Sequence, residues 1–172
     1  MIEFVLRPWE EADAASLARW ADDPAVAANL RDVFPSPYTR ADAEWFIRDC
    51  MAREGDGQLC RAIVAGGEAV GSIGVFQGAD VYRKSAEIGY WLGRDFWGRG
   101  WMTEAVKRMC REAFDTWDIV RIHAEVFAPN RASQAVLEKA GFSLEGTRRN
   151  SVYKGGRVLD SRVYALLKEE LT

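Results

Sequence analysis

The stretch Gly93-Arg94-Asp95-Phe96-Trp97-Gly98-Arg99-Gly100-Trp101-Met102-Thr103-Glu104 carries the densest chemistry in this chain. A strand pattern runs into it and a long helical pattern leaves it. A helix start exposes backbone N–H groups without intrahelical partners, together with the positive end of the macrodipole. Glycines beside such a start let an anion approach the backbone without meeting a Cβ. The stretch therefore reads as a cradle for phosphate or pyrophosphate, with Arg94 and Arg99 adding positive charge. The alternative is a helix entry whose glycines serve close packing alone. Two common nucleotide signatures fail here. Gly93 and Gly98 have Walker spacing, but Arg99-Gly100 stands where Lys-Ser/Thr must hold a γ-phosphate and magnesium. A dinucleotide fingerprint built on Gly98-x-Gly100 wants a glycine at the position of Thr103, and the flanking pattern is not a parallel βαβ unit.

Acid–base candidates are few. Glu87 lies on the strand leading into the glycine turn, in a run otherwise apolar or glycine, Ile88-Gly89-Tyr90-Trp91-Leu92. It reads either as a general base or as an ion-pair partner of the nearby Arg83 or Lys84. His123 sits mid-strand between Ile122 and Ala124. With no partner acid it lacks triad logic and reads as a buried or hydrogen-bonded strand residue. Cys50, Cys60 and Cys110 are odd in number and widely spaced, which argues against a disulfide framework or a metal knuckle. With one imidazole in the chain, no metal site is expected. Trp45 and Phe46, near the 31–38 loop, are candidates for lining an acceptor groove, and Lys154-Gly155-Gly156-Arg157 reads as a solvated hairpin tip.

These residues need a scaffold, and 172 residues suffice for one domain spanning 1–172. A chain with 48% apolar and 28% charged residues is globular in composition. Lys and Arg number 23 against 26 Asp and Glu, and no clustered basic face supports nucleic-acid binding. Apolar stretches fall short of the roughly 18 residues a membrane span needs. The opening MIEFVLRPWEEAD lacks a cationic start and apolar block, so no signal peptide and a cytoplasmic location are expected.

Strands are expected over Ile2–Leu6, Leu59–Val64, Ala69–Phe76, Ser85–Leu92, Ile119–Phe127, Phe142–Tyr153 and Arg157–Leu166. Helical spacing covers Ala12–Ala21, where Ala14, Leu17, Ala18 and Ala21 share a face, until Pro24 interrupts. Val26–Leu30 reads as one more turn. A helix capped by Thr39, with Asp42 three residues on, runs to about Arg53. Trp101–Phe114 is strongly helical, and Asn130 caps a last helix that Gly141 ends. This order gives a mixed layer of helices on a sheet, without choosing its topology.

Gly98-Arg99-Gly100, preceded by Trp97 and followed by Met102-Thr103-Glu104-Ala105, resembles motif A of the GNAT acyltransferases. The opening Leu6-Arg7-Pro8-Trp9, the string Glu87–Leu92, and Asn130-x-x-Ser133-x-x-x-Leu137-Glu138-Lys139-x-Gly141-Phe142 are similar to the RimJ/RimL-like branch, in the same order. The resemblance implies an α+β fold: a mixed, mostly antiparallel central sheet, helices on both faces, and a splayed strand pair holding the cofactor. It implies acetyl-CoA as co-substrate. The pantetheine arm would meet backbone at Trp91, Leu92 and Gly93. The pyrophosphate would sit on amides from Gly98, Arg99, Gly100, Trp101, Met102 and Thr103, with Arg94 nearby and Asn130 and Ser133 contacting the cofactor. Ser133 matches a serine proposed to protonate the leaving thiolate; alternatively it only bonds backbone at the helix start. Two departures stand out. Asp95 occupies the Gln/Arg position of motif A, and Val152 replaces a glutamate preceding the tyrosine matched by Tyr153, which shifts weight to Glu87 as base.

The implied activity is N-acetylation of a primary amine, on a protein N-terminus or a small molecule, by direct attack. The alternative is a catalytically weak acyl-CoA-binding regulatory module. Relatives often pair, so a homodimer is an expectation, with no interface located by the sequence.

Overall fold

The computed structural model describes residues 3–172. Ile2, where the first strand was expected to begin, lies outside the described residues. Two compact units are present. The first holds the residues up to Gly74 together with Gly89–Trp101, and the second holds Val75–Ile88 with Met102–Thr172.

In the first unit, β1 (Val5–Arg7) pairs antiparallel with β2 (Gln58–Ala65), Leu6 opposite Ile63. Arg7 grips the Asp13 carboxylate through two bonds of 2.8 Å, and that carboxylate also accepts the Glu10 amide at 2.9 Å. This clasp explains a departure from the expected helix: Glu11–Asp13 form a tight 3₁₀ turn, and α1 covers only Ala14–Ala21. Ala14, Leu17 and Ala21 are buried on it, the stripe its spacing required. Pro24 opens the next helix rather than interrupting one. It takes the first position of α2 (Pro24–Ala27), where its missing N–H costs nothing, and Asp23 caps the Ala25 amide at 2.9 Å.

The Thr39–Asp42 pair forms a reciprocal capping box at the start of α3 (Arg40–Arg53), with Asp serving in place of the usual Glu. Ala43, Ile47 and Cys50 face the core of this unit, beside Trp9, Leu17, Tyr38 and Cys60. Gly66 and Gly67, both with positive φ, turn β2 into β3 (Glu68–Gln77).

β4 (Ser85–Leu92) begins in the second unit. There it pairs in parallel with β5 (Arg121–Phe127), from Ser85 opposite Arg121 to Glu87 opposite His123. The expected start at Ile119 belongs to the preceding turn, although Ile119 is buried. α4 (Trp101–Thr116) buries Met102, Ala105, Val106, Met109, Cys110, Ala113 and Phe114 on one side. α5 (Arg131–Lys139) is capped by Asn130 and ended by Gly141 at φ +99°. β6 (Ser143–Lys154) and β7 (Arg157–Leu167) form the last hairpin, and β6 slips register between Arg148 and Val152.

The strand order is β1-β2-β3-β4-β5-β7-β6. β7 lies between β5 and β6, so the final hairpin is inserted out of sequence order. The pairs β1–β2, β5–β7 and β6–β7 are antiparallel, and the α+β sheet is mixed and mostly antiparallel as expected. No helix among the described residues is long and apolar enough to cross a membrane.

Candidate functional site

Three glycines of the 93–104 stretch have different physical reasons to be glycine. A Cβ on Gly93 would stand 2.9 Å from the Trp20 ring and 3.1 Å from the Val70 carbonyl, which accepts the Gly93 amide at 2.8 Å. Glycine there serves packing. Gly98 and Gly100 adopt φ of +74° and +76°, and a Cβ on either would meet nothing within 4 Å. Their left-handed backbone opens onto free space directly before α4, the arrangement an anion cradle needs. Close packing accounts for glycine at Gly93, and the left-handed backbone accounts for it at Gly98 and Gly100.

Aromatic rings fix this turn. Trp101 stacks on Phe96 with centroids 5.3 Å apart and also meets Phe4 at 5.5 Å. Phe96 in turn sits edge-on to Trp20 at 5.0 Å. The Arg99 guanidinium lies over the Phe96 and Trp101 rings and donates to the Asp95 carbonyl at 3.0 Å. Trp97 Nε1 donates to the Leu92 carbonyl at 2.7 Å, while Trp91 packs edge-on to Phe34. Arg94, placed by the sequence reading beside the pyrophosphate, is held by the Asp23 carboxylate through two hydrogen bonds, one of 2.8 Å. The pairing pushes Asp23 below its ordinary range and Arg94 above its own. The run of aromatics at 96, 97 and 101 was the available signal for this box; nothing local marked Trp20 or Phe4 as its other walls.

In the second unit, Met102 is buried and Thr103 half-buried in the first turn of α4. Asn130 Oδ1 accepts the Ser133 amide at 3.2 Å and caps α5, where Ser133 is half-buried. Gln134 bonds the Ala128 carbonyl at 2.7 Å and accepts from Arg162 at 3.2 Å, tying this turn to β7.

His123 has a partner acid after all. Its Nε2 lies 3.8 Å from Glu87 Oε2, and its Nδ1 lies 3.5 Å from Ser85 Oγ. The parallel register puts Glu87 beside His123, and the two-residue period of a strand puts Ser85 on the same face. Lys84 meets Asp118, and Arg83 donates to the Asp80 carbonyl. Burial pushes the imidazole below its ordinary value, against the opposing pull of the Glu87 charge.

Further along the same face, Glu125 accepts from Ser161 Oγ at 2.5 Å and from Arg148 at 3.2 Å. Ser151 joins Ser161 at 2.6 Å. No local pattern marks this network, because it depends on the register slip in β6, where Asn150 has φ +55°. In the first unit, Trp45 is exposed on α3 while Phe46 packs edge-on to Trp9. A groove of about 360 Å³ beside them is lined by Glu11, Arg40, Glu44, Ile47 and Arg48 instead.

Residues 3–143 match the family model described as Acetyltransferase (GNAT) domain. The chain is 33% identical over 167 residues to the uncharacterized N-acetyltransferase p20 of Bacillus licheniformis, covering 96% of this chain and 93% of that protein. It is 29% identical over 174 residues to the L-amino acid N-acetyltransferase AaaT of Escherichia coli K12, covering 98% and 100%. Among solved structures, Mycobacterium smegmatis RimJ in complex with CoA-disulfide superposes with a TM-score of 0.87 at 27% identity, covering 98% of this chain and 83% of that one.

Proposed function

Because the chain belongs to the GNAT acetyltransferase family, we propose that it moves an acetyl group from acetyl-CoA to the α-amine of an amino acid or a protein N-terminus. The open, left-handed backbone at Gly98 and Gly100 ahead of α4 carries this reading. Amides of Gly98, Arg99, Gly100, Trp101, Met102 and Thr103 hold the pyrophosphate, and Trp91, Leu92 and Gly93 border the pantetheine, although the Gly93 amide is already bonded to Val70 and the Leu92 carbonyl to Trp97. Arg99 adds charge to the cradle. Arg94 supports it by fixing the turn onto Asp23. Asn130 and Ser133, at the start of α5, supply polar groups to the cofactor.

Acetyl-CoA supplies a thioester that a neutral amine attacks directly. The protein must deprotonate the amine and protonate the departing thiolate. Glu87 receives the amine proton through water, and Ser133 supplies the thiolate proton. All three cysteines are buried, so none is assigned as an acyl carrier. An α-amine near pKa 7.8 is neutral in about one molecule in seven at pH 7, a lysine amine near 10.4 in about one in a few thousand. One carboxylate acting through water serves the first far better than the second. AaaT is named for L-amino acids, and this supports an α-amine acceptor.

The second reading is an acyl-CoA-binding regulatory module. It draws on Val152, which leaves β6 without the family's glutamate there, and on Asp95 in motif A. Thiol release from acetyl-CoA separates the two. The acceptor panel holds free L-amino acids, unblocked peptides, a polyamine and an aminoglycoside, with CoA binding followed by calorimetry. Acetyl transfer to the free amino acids or unblocked peptides is the expected outcome. Tight CoA binding without release across the panel establishes the module.

A further inference from the structure

We propose that His123 works behind Glu87 as a positioning and proton-storing residue: the carboxylate collects the proton leaving the amine and the imidazole keeps it. The inference rests on the acetyl-transfer reading and deepens it. Glu87 and His123 form the last pair of the parallel β4–β5 register. Their side chains are 38% and 30% exposed, open enough for a water to reach both. Nε2 faces the carboxylate at 3.8 Å, Nδ1 lies 3.5 Å from Ser85 Oγ, and the ring also makes a backbone hydrogen bond at Ala86. A neutral imidazole carries one N–H and keeps a lone pair on its other nitrogen for a proton.

The transfer balances without an outside reactant. An N–H bond of the ammonium breaks and its proton passes through water to a Glu87 oxygen. That O–H bond breaks as a water spanning the 3.8 Å gap takes the proton and gives one of its own to Nε2. The result is a neutral amine and an imidazolium beside a carboxylate, and the imidazolium later returns its proton to solvent. The chemistry favours a relay over a carboxylate alone. An imidazole is intrinsically a stronger base than a carboxylate, so a proton taken from an α-amine rests on it more readily.

Glu87 on β4 favours the imidazolium, Arg121 on β5 opposes it, and Glu145 on β6 favours it while paired to Arg121 at 2.6 Å. The residue opposite His123 on β7 is Ala165, which brings no charge. Burial is the largest influence and holds the ring below its ordinary value.

The chain has one histidine, so its imidazole gives a single Cε1–H resonance whose titration is unambiguous. In Glu87→Gln the imidazole pKa should fall further, because the carboxylate favouring the charged ring is gone. The acid limb of kcat/KM for an unblocked alanyl peptide should follow the titration of His123 in the parent. His123→Gln should lose that limb and at least tenfold in kcat/KM, with CoA affinity unchanged; His123→Asn serves as a second variant. An imidazole pKa unmoved by Glu87→Gln overturns the pair. So does a His123→Gln or His123→Asn enzyme with the parent's pH profile. A parent that binds CoA but acetylates nothing sinks the acyl-transfer reading and the relay with it, while the resonance still decides whether the two side chains are coupled.

Discussion

A Cβ on Gly71 would stand 2.6 Å from the Trp91 carbonyl oxygen and 3.1 Å from the Leu92 Cα. β3 and β4 approach this closely only because position 71 has no side chain. Gly71→Ala must push Trp91 and Leu92 aside, an overpacking expected to cost about 1–3 kcal/mol. The urea midpoint should fall with little change in slope, and CoA binding should weaken because those two residues are proposed to border the pantetheine. An unchanged midpoint would mean that the strands yield freely.

Gly100→Val should lower CoA affinity at least tenfold, about 1.4 kcal/mol, by filling the open space before α4. The same change imposes backbone strain, since φ is +76°. Gly67→Val is the control: its φ is +80° and its surroundings equally open, but it lies in the β2–β3 turn. Both variants should lose similar stability, and only the first should lose affinity. Equal CoA binding by the two would remove the glycine turn from the cofactor site.

Asp13 is buried, and burial alone would raise its carboxyl pKa. The Arg7 hydrogen bonds, the Glu10 amide and the Arg7 charge outweigh this and leave it below the ordinary value. A folded pKa below the unfolded one means that the stabilisation is fully present above about pH 4 and is lost as pH falls through the folded value. Asp13→Asn leaves Arg7 without its charge partner and should cost about 3 kcal/mol at pH 7. The variant should also lose part of the parent's stability slope below pH 4, measured by thermal melts across pH 2 to 7. A parent and variant with parallel profiles would contradict the assignment.

Ser133→Ala should reduce kcat more than CoA affinity if the hydroxyl delivers the thiolate proton, since that contact matters in the transition state. The Asn130 cap bonds the Ser133 backbone amide, so the helix start survives the substitution. A change confined to CoA binding would reassign Ser133 to holding the cofactor.

Glu87→Gln should lower kcat/KM by roughly 10²-fold or more below neutral pH, with the deficit shrinking as pH rises and solvent deprotonates the amine unaided. The deficit should be larger for a lysine side-chain amine than for an α-amine. Equal parent and variant rates at pH 6.5, with chemistry shown to be rate-limiting, would make Glu87 structural.

The limits of α3 and α5 are readable in the sequence because a cap acts within four residues of itself: Thr39 with Asp42, Asn130 with Ser133, and Gly141 after the last turn. The buried stripe of α4 and the glycine turn before it are equally local, and residue types alone mark both. Pro24 was misread because a proline that breaks a helix and one that starts a helix look alike until the Asp23 cap is seen.

Contacts between distant residues needed the tertiary structure. Arg94 finds Asp23 across 71 positions, and Ser161 finds Glu125 across 36. His123 acquires its carboxylate only because β4 and β5 align in one particular parallel register, and a slip of one residue would turn every side chain to the other face. Alternation along a strand states which residues share a face, but not which strand lies alongside. The insertion of β7 between β5 and β6 is invisible for the same reason. Period and capping are properties of neighbours in the chain, whereas strand order and ion-pair choice are settled by which surfaces the whole fold brings together.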